Sequence, residues 1–130
     1  MSKQPSLLPL SILILLMASG RAAVAAPYTE APENPDAARA FEFLLDKDFS
    51  RQCDLTTSVL RDNLDELFGS RYMGLEFERW EVEEGGTGEY LLTLHYNDER
   101  SGTTEARWTV RPEREEARMD GESAEVVSCF

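Results

Sequence analysis

The segment Glu89-Tyr-Leu-Leu-Thr-Leu-His-Tyr-Asn97 alternates between two sets of side chains. One side of an extended chain carries large aromatic and aliphatic groups: Tyr90, Leu92, Leu94 and Tyr96. The other side carries Leu91, Thr93 and His95. A period of two is typical of a β-strand with one buried face. We therefore expect this segment to be the inner strand of an antiparallel sheet, with the first set toward the core.

The segment before this strand also alternates, but its phase changes. Its large apolar residues lie first at odd and then at even positions: Leu75, Phe77, Trp80 and Val82. Such a slip predicts a β-bulge, which we place near Glu78-Arg79. Residues 84–88 contain three glycines. Because they lead from strand to strand and not into a helix, we interpret them as a hairpin loop rather than a phosphate-binding loop.

Two stretches near the C-terminus predict the remaining strands. Thr104–Arg111 alternates and places three apolar residues inward: Ala106, Trp108 and Val110. Glu113–Met119 alternates more weakly. Asp120-Gly121 then predicts a tight hairpin turn, and Ala124–Cys129 predicts the last strand.

Two helices are predicted before the sheet. Asn34-Pro35-Asp36 is typical of a helix start, and apolar residues follow at spacings of three and four up to Phe49. Asp54 is placed to cap a second helix, which is expected to end at Gly69. The order of elements predicts an α+β fold, with two N-terminal helices packed on one face of a four- to five-stranded antiparallel meander sheet.

Residues 1–25 are typical of a signal peptide. The basic start, the apolar run and the small-residue exit are Lys3, Leu7–Ala18 and Ala22–Ala25. The apolar run is shorter than the roughly 20 residues that a membrane-spanning helix needs, so we expect cleavage after Ala25 and no stable membrane anchor. The predicted product is periplasmic or secreted, with a flexible arm over residues 26–33 and a single α+β domain over residues 34–130.

Charge and cysteine content narrow the classes of partner. The whole chain has a formal charge of −12, and because residues 1–25 carry two basic residues and no acid, residues 26–130 carry −14. Such a surface repels nucleic acid, and it either attracts a basic partner or serves general solvation, which is the favoured alternative. The two cysteines, Cys53 and Cys129, predict one disulfide in an exported chain.

Catalytic and metal-binding signals are weak. His95 is the single histidine of the chain, and it lies on the side of its strand opposite the predicted core. We therefore expect it outside the core and predict no catalytic residue. Acids are plentiful, but they lack the spacing of a calcium-binding loop, so no metal or cofactor is predicted.

Five residues are candidates for a ligand or interface site: Arg79, Trp80, Tyr90, Tyr96 and Trp108. Trp80 is the strongest candidate because it lies at the phase slip. The aromatic residues either fill a core or line a pocket, and a filled core is the favoured alternative. The arginine most simply forms exposed ion pairs with neighbouring acids.

The segment Ala40-Phe-Glu-Phe-Leu-Leu-Asp-Lys-Asp-Phe49, followed by a second helix and a meander containing Trp80, resembles the opening of small exported NTF2-like/cystatin-like domains. The resemblance implies a cone-shaped fold with a pocket between helix and curved sheet, and a ligand-binding or accessory role. Enzymes of this kind typically place an Asp–His or Tyr/Asp pair in the pocket. No site residue is carried over to this chain.

Three functional hypotheses follow. The first is a non-enzymatic module that binds a protein partner or a small apolar ligand. The second is a small hydrolase or isomerase that uses a carboxylate with Tyr90, Tyr96 or His95, and the third is an inhibitor of a basic secreted enzyme. If His95 is buried beside a carboxylate, the non-enzymatic hypothesis is the first to be given up. An enclosed cavity that contains a buried carboxylate beside His95 or a tyrosine also favours the enzyme. A filled core with an exposed aromatic surface at Trp80 favours the binding module.

Overall fold

A computed structural model describes residues 26–70 and 73–130. The predicted signal peptide over residues 1–25 lies outside the described residues. The described residues form four helices and four strands, in the order α1 (Pro35–Asp46), α2 (Ser50–Cys53), α3 (Leu60–Gly69), β1 (Leu75–Glu84), β2 (Tyr90–Asp98), β3 (Gly102–Arg111), β4 (Glu116–Met119) and α4 (Glu122–Ser128). None of these helices is long and apolar enough to span a membrane.

The four strands form one antiparallel meander sheet in the order β1-β2-β3-β4. The predicted α+β fold is therefore confirmed, and β2 is the inner strand that the alternation of Tyr90–Tyr96 indicates. Leu94 of β2 lies opposite Trp80 of β1 and Ala106 of β3. The sheet is thus built from strands adjacent in sequence, which leaves β1 and β4 at its two edges.

One face of the sheet packs against the helices and forms the core. The buried residues of the two central strands are Leu92, Leu94, Tyr96, Ala106, Trp108 and Val110. They pack against the apolar stripes of α1 and α3: Ala40, Phe41, Leu44, Leu45, Leu60, Leu64 and Leu67. The periods of two and of three to four in the sequence therefore identify the core residues of both layers.

The predicted β-bulge is confirmed. The register between β1 and β2 shifts between Phe77 and Arg79, so that Glu78 is the extra residue. Because of this shift, Phe77 and Trp80 both lie on the core face although their numbers differ by three. The bulge therefore keeps the large apolar groups of β1 on the core side of the sheet throughout its length.

The predicted last strand, Ala124–Cys129, is wrong, because these residues lie in helix α4 and the residue after it. Ala124, Val127 and Ser128 are buried at helical spacing, whereas Val126 is 59% exposed. Gly121 does not form the predicted hairpin turn but precedes α4, with a φ of 110° that favours glycine. The pair Val126-Val127 favours a strand locally, and burial of one helical face against β3 outweighs this preference.

The boundaries of the N-terminal helices also differ from the prediction. Asn34 caps α1 as expected, since its side-chain oxygen accepts hydrogen bonds from two backbone N–H groups. However, α1 ends at Asp46 and not near Phe49. Asp54 does not cap α3; it adopts a left-handed conformation directly after α2. The chain then turns over residues 54–56, and Val59, which forms an isolated β-bridge with Asp48, precedes α3.

The predicted disulfide between Cys53 and Cys129 is confirmed, with a Cα–Cα distance of 5.3 Å. It joins α2 to the residue after α4, so it connects two helical segments rather than a helix to a strand. A buried polar cluster lies beside it. The side-chain amide of Asn63 donates to the carbonyls of Val127 and Ser128 at 3.1 and 2.9 Å. These bonds satisfy carbonyl groups at the C-terminal end of α4.

Asp48 forms hydrogen bonds with both ends of the loop that contains α2. Its Oδ1 accepts hydrogen bonds from the backbone N–H groups of Ser50 and Ser58, at 2.9 and 3.1 Å. These bonds, that from Ser50 first, hold the pKa of Asp48 below its ordinary value of 3.8. A lowered folded-state pKa stabilises the protein above the pKa of the unfolded state, and this contribution disappears as the pH falls through the folded-state pKa.

We therefore expect Asp48→Ala to lower the free energy of unfolding at pH 6, and to lower it progressively less as the pH approaches 2. Urea unfolding of both proteins across this range measures the difference. Glu66→Ala is the control, because the side chain of Glu66 is exposed and makes no hydrogen bond or ion pair within the described residues. A difference between wild type and Asp48→Ala that does not change with pH would contradict the expectation.

Candidate functional site

An open apolar groove of about 440 Å³ runs along the core side of β1. One wall comes from the N-terminal segment and the start of α1, and its apolar residues are Pro27, Ala31, Pro32 and Ala37. The other wall comes from β1 and contains Phe77, Trp80 and Val82. The groove is thus built from two parts of the chain that lie about 50 residues apart in sequence.

Trp80 forms the floor of the groove and is half-buried. Its ring packs edge-on against Phe41, with the ring centres 5.3 Å apart, and lies 5.6 Å from the ring of Trp108. Its indole N–H donates to the backbone carbonyl of Tyr28 at 2.9 Å. Trp80 therefore links the core to the N-terminal wall, while part of its ring stays accessible.

Residues 26–33, which composition predicts to be a flexible arm, lie against the domain in the structure. Pro27–Thr29 forms a 3-10 turn, and the ring of Tyr28 lies 5.8 Å from that of Phe68 and 6.3 Å from that of Phe77. Burial raises the pKa of the Tyr28 hydroxyl, and Asp65 raises it further. These contacts give the groove its second wall, which the sequence analysis missed. A tyrosine between two prolines was the available signal.

The five candidate residues do not form one site. Arg79 and Trp80 line the groove. Tyr90 is half-buried at the start of β2, opposite Glu84. Tyr96 is 5% exposed and Trp108 is fully buried, and the indole N–H of Trp108 donates to Ser128 Oγ at 2.8 Å. Tyr96 and Trp108 are therefore part of the core.

His95 lies outside the core layer, as expected, but it is buried. His95 is 6% exposed on the outer face of the sheet, because long side chains of the neighbouring strands cover it. Its Nε2 contacts the carboxylate of Glu81, and its Nδ1 lies 3.5 Å from the carboxylate of Glu105. This burial beside carboxylates is the condition that favours an enzyme.

The two carboxylates beside His95 differ in their contacts. Glu81 forms a hydrogen bond with Nε2, whereas Glu105 lies at an ion-pair distance from Nδ1, and both carboxylates are partly exposed. The groove beside β1 and four other surface clefts of the described residues are lined by other side chains. His95 therefore lines none of these five clefts.

Most arginines of the domain are neutralised by nearby acids. The pairs Arg39–Glu113, Arg61–Glu42, Arg107–Glu105, Arg111–Glu89 and Arg118–Asp120 all have N–O distances of 3.0 Å or less. Arg111 lines a cleft of about 430 Å³ at the glycine-rich loop, where its hydrogen bonds to Glu89 lower the pKa of that carboxylate. Arg114 lines the same cleft and forms no ion pair within the described residues. The loop joins β1 to β2 as predicted.

The acids on β1 have fewer partners. Five of its ten residues are acidic: Glu76, Glu78, Glu81, Glu83 and Glu84. Arg79 lies 3.9 Å from Glu78 and 3.8 Å from Glu81, while the other three acids form no ion pair within the described part of the chain. The groove is therefore bordered by an acidic strand with a single basic residue.

No family model matches the chain, and neither a curated protein nor a solved structure matches it. The resemblance to NTF2-like/cystatin-like domains therefore remains a prediction. Within residues 26–70 and 73–130, no three His, Cys, Asp or Glu side chains are grouped so that they could hold a metal ion. The groove beside β1 is the site that the structure supports best.

Proposed function

We propose that this chain is an exported, acidic binding module whose protein partner docks in the groove beside β1. The observation that supports the proposal most strongly is an open apolar groove, with a partly accessible tryptophan in its floor, beside an edge strand. Binding sites are concave and mostly apolar, and tryptophan is enriched among the residues that dominate binding energy.

The charge of the module favours a basic partner. Residues 26–130 carry −14, and many of their arginines are already paired with acids. The carboxylates of Glu76 and Glu83 lie on the outer face of β1, form no ion pair within the described residues and remain available to an incoming cation. A basic secreted enzyme is one partner of this class, in which case the module acts as an inhibitor. Export itself rests on the signal-peptide pattern of residues 1–25 and on the disulfide, which fits an oxidising compartment.

The catalytic alternative has one supporting observation, the burial of His95 beside Glu81 and Glu105. We do not adopt it, for two reasons. His95 lines none of the five surface clefts described above, and the core between helices and sheet is filled by Trp108, Phe41 and their neighbours, where a cone-shaped enzyme needs a pocket.

Filling the groove tests the proposal. Ala37 lines the groove from α1, and Ala37→Leu narrows it without removing a core side chain. The control is Ala38→Leu, the same change at the next position of the helix, which does not line the groove. Each variant and the wild type, produced as residues 26–130 with the disulfide formed, serve as bait for proteins of the native envelope fraction.

We expect the wild type and Ala38→Leu to capture the same protein, and Ala37→Leu to lose most of it. Equal thermal unfolding of the three baits shows that the loss is not a folding defect. Equal capture by all three baits, or no capture by the wild type, would overturn the proposal.

A further inference from the structure

The hydrogen-bonding edge of β1 is open. This ten-residue strand pairs with β2 on one side, and no strand of the described residues lies on its other side. The opposite edge of the sheet is different, since β4 has four residues and is followed at once by α4. An exposed edge strand carries free N–H and C=O groups that can pair with another extended chain. The long edge of the sheet lies beside the groove.

The two faces of β1 differ in chemistry. On the core side, Phe77, Trp80 and Val82 face the groove. On the outer side, Glu81 lies opposite Thr93 and Glu83 lies opposite Leu91, so that these acids share the solvent face of the sheet. A strand added beside β1 would therefore place alternate side chains against an apolar groove and against a row of carboxylates.

We propose that the partner is an extended polypeptide segment that adds to β1 as a fifth strand, with apolar side chains in the groove and Lys or Arg side chains beside the outer acids. This inference rests on the proposed function, because it assigns an occupant to the same groove. The recognised sequence alternates between apolar and basic residues. Main-chain hydrogen bonds supply the docking, and the side-chain alternation supplies the selectivity.

Charge excludes a second copy of this chain as the occupant. Pairing of β1 with another β1 would bring two strands with five acids each side by side, and like charges on adjacent strands are destabilising. The same acids and the bulge at Glu78 protect the edge from indiscriminate pairing. A basic segment is attracted by these acids instead of repelled. The acids therefore disfavour pairing with acidic strands and favour pairing with basic ones.

A designed peptide tests the inference directly. The probe is a short peptide of alternating Val and Lys, N-methylated at every second residue so that one of its edges remains able to pair. One control peptide is N-methylated at every residue, and another has Glu in place of Lys. We expect the probe to bind residues 26–130, to slow the amide hydrogen exchange of β1, and to compete with the protein captured from the envelope. Neither control peptide should do so.

The matched protein variants are Glu76→Lys/Glu83→Lys on β1 and Glu66→Lys/Glu122→Lys on α3 and α4, which change the net charge equally. All four acids are exposed and form no ion pair within the described residues. We expect the β1 variant to bind the probe about tenfold more weakly and the helix variant to bind nearly as well as wild type.

Equal weakening in both variants would show that only overall charge matters and would overturn the inference, as would binding of the fully methylated peptide. If the envelope protein depends on the groove but the probe neither competes with it nor protects β1, the fifth strand is wrong while the proposed function stands. If capture is indifferent to Ala37→Leu, the proposed function itself is wrong.

Discussion

Replacement of both Cys53 and Cys129 by alanine should lower the free energy of unfolding by about 4 kcal/mol, because the bridge closes a loop with a sequence separation of 76. The bridge restricts the unfolded chain, and its loss restores that conformational freedom. An effect of this size is a large share of the roughly 5–15 kcal/mol that stabilise a typical domain. Urea unfolding of the oxidised wild type and the double variant measures it.

The native fold should nevertheless persist in the double variant. The end of α4 is also held by Asn63, whose side chain donates to the carbonyls of Val127 and Ser128. We therefore expect near-native circular dichroism for the variant in the absence of urea. The control is reductant: it should lower the stability of the wild type to that of the variant and leave the variant unchanged. A loss below about 1 kcal/mol would contradict the expectation, since it lies well outside the usual range for a native disulfide.

Trp108→Ala should lower the free energy of unfolding by about 3–5 kcal/mol, which is the range for removal of a fully buried large aromatic residue. The indole ring lies 5.6 Å from that of Trp80, and its N–H donates to Ser128 in α4. The substitution therefore leaves a cavity between β3 and the helices and removes the donor to a buried hydroxyl. The measurement is again equilibrium unfolding, with circular dichroism to verify folding.

A second substitution separates packing from hydrogen bonding. Trp108→Phe keeps most of the ring volume but leaves Ser128 Oγ without its indole donor, so we expect a smaller loss, of about 1–3 kcal/mol. Val126→Ala is the control, because Val126 is 59% exposed and its truncation should change stability by no more than about 0.5 kcal/mol. Equal effects of Trp108→Ala and Val126→Ala would mean that Trp108 is not part of the core.

Trp108 also supports the shape of the groove. Trp108 packs behind Trp80, and Trp80 forms the groove floor and binds the carbonyl of Tyr28. A change at Trp108 is thus expected to disturb the groove from beneath, whereas Ala37→Leu narrows it from the side. Capture by Trp108→Ala therefore tests whether the floor of the groove must be intact, and capture by Ala37→Leu tests whether the groove must be wide enough for the partner.

Much of the fold could be predicted from the sequence, because its strongest signals are local. The alternation along Tyr90–Tyr96 identified the inner strand and its core face. The phase change between Phe77 and Trp80 identified the bulge, since a strand that buries one face must insert a residue to keep its apolar side chains inward. The pairing of Cys53 with Cys129 followed from there being two cysteines in the chain.

The features that the sequence did not predict share one cause, because each depends on a distant part of the chain. Val126-Val127 favours a strand, but the surface available beside β3 and the position of Cys129 select a helix. His95 alternates onto the solvent face, yet Glu81 and Glu105 from the adjacent strands cover it. Residues 26–33 are polar and contain prolines, but Tyr28 packs against Phe68 of α3 and Phe77 of β1.

Local periodicity was therefore enough to specify the α+β class, the order of β1 to β4 and most residues of the core, because apolar side chains are buried at a spacing that each backbone conformation imposes. The C-terminal helix, the cover over His95 and the groove at Trp80 were decided only by the tertiary structure. Each of them depends on contacts with side chains or backbone groups that are distant in the sequence. The groove could not be predicted from the sequence, since Ala37 and Trp80 form one surface only after the N-terminal segment has packed against β1.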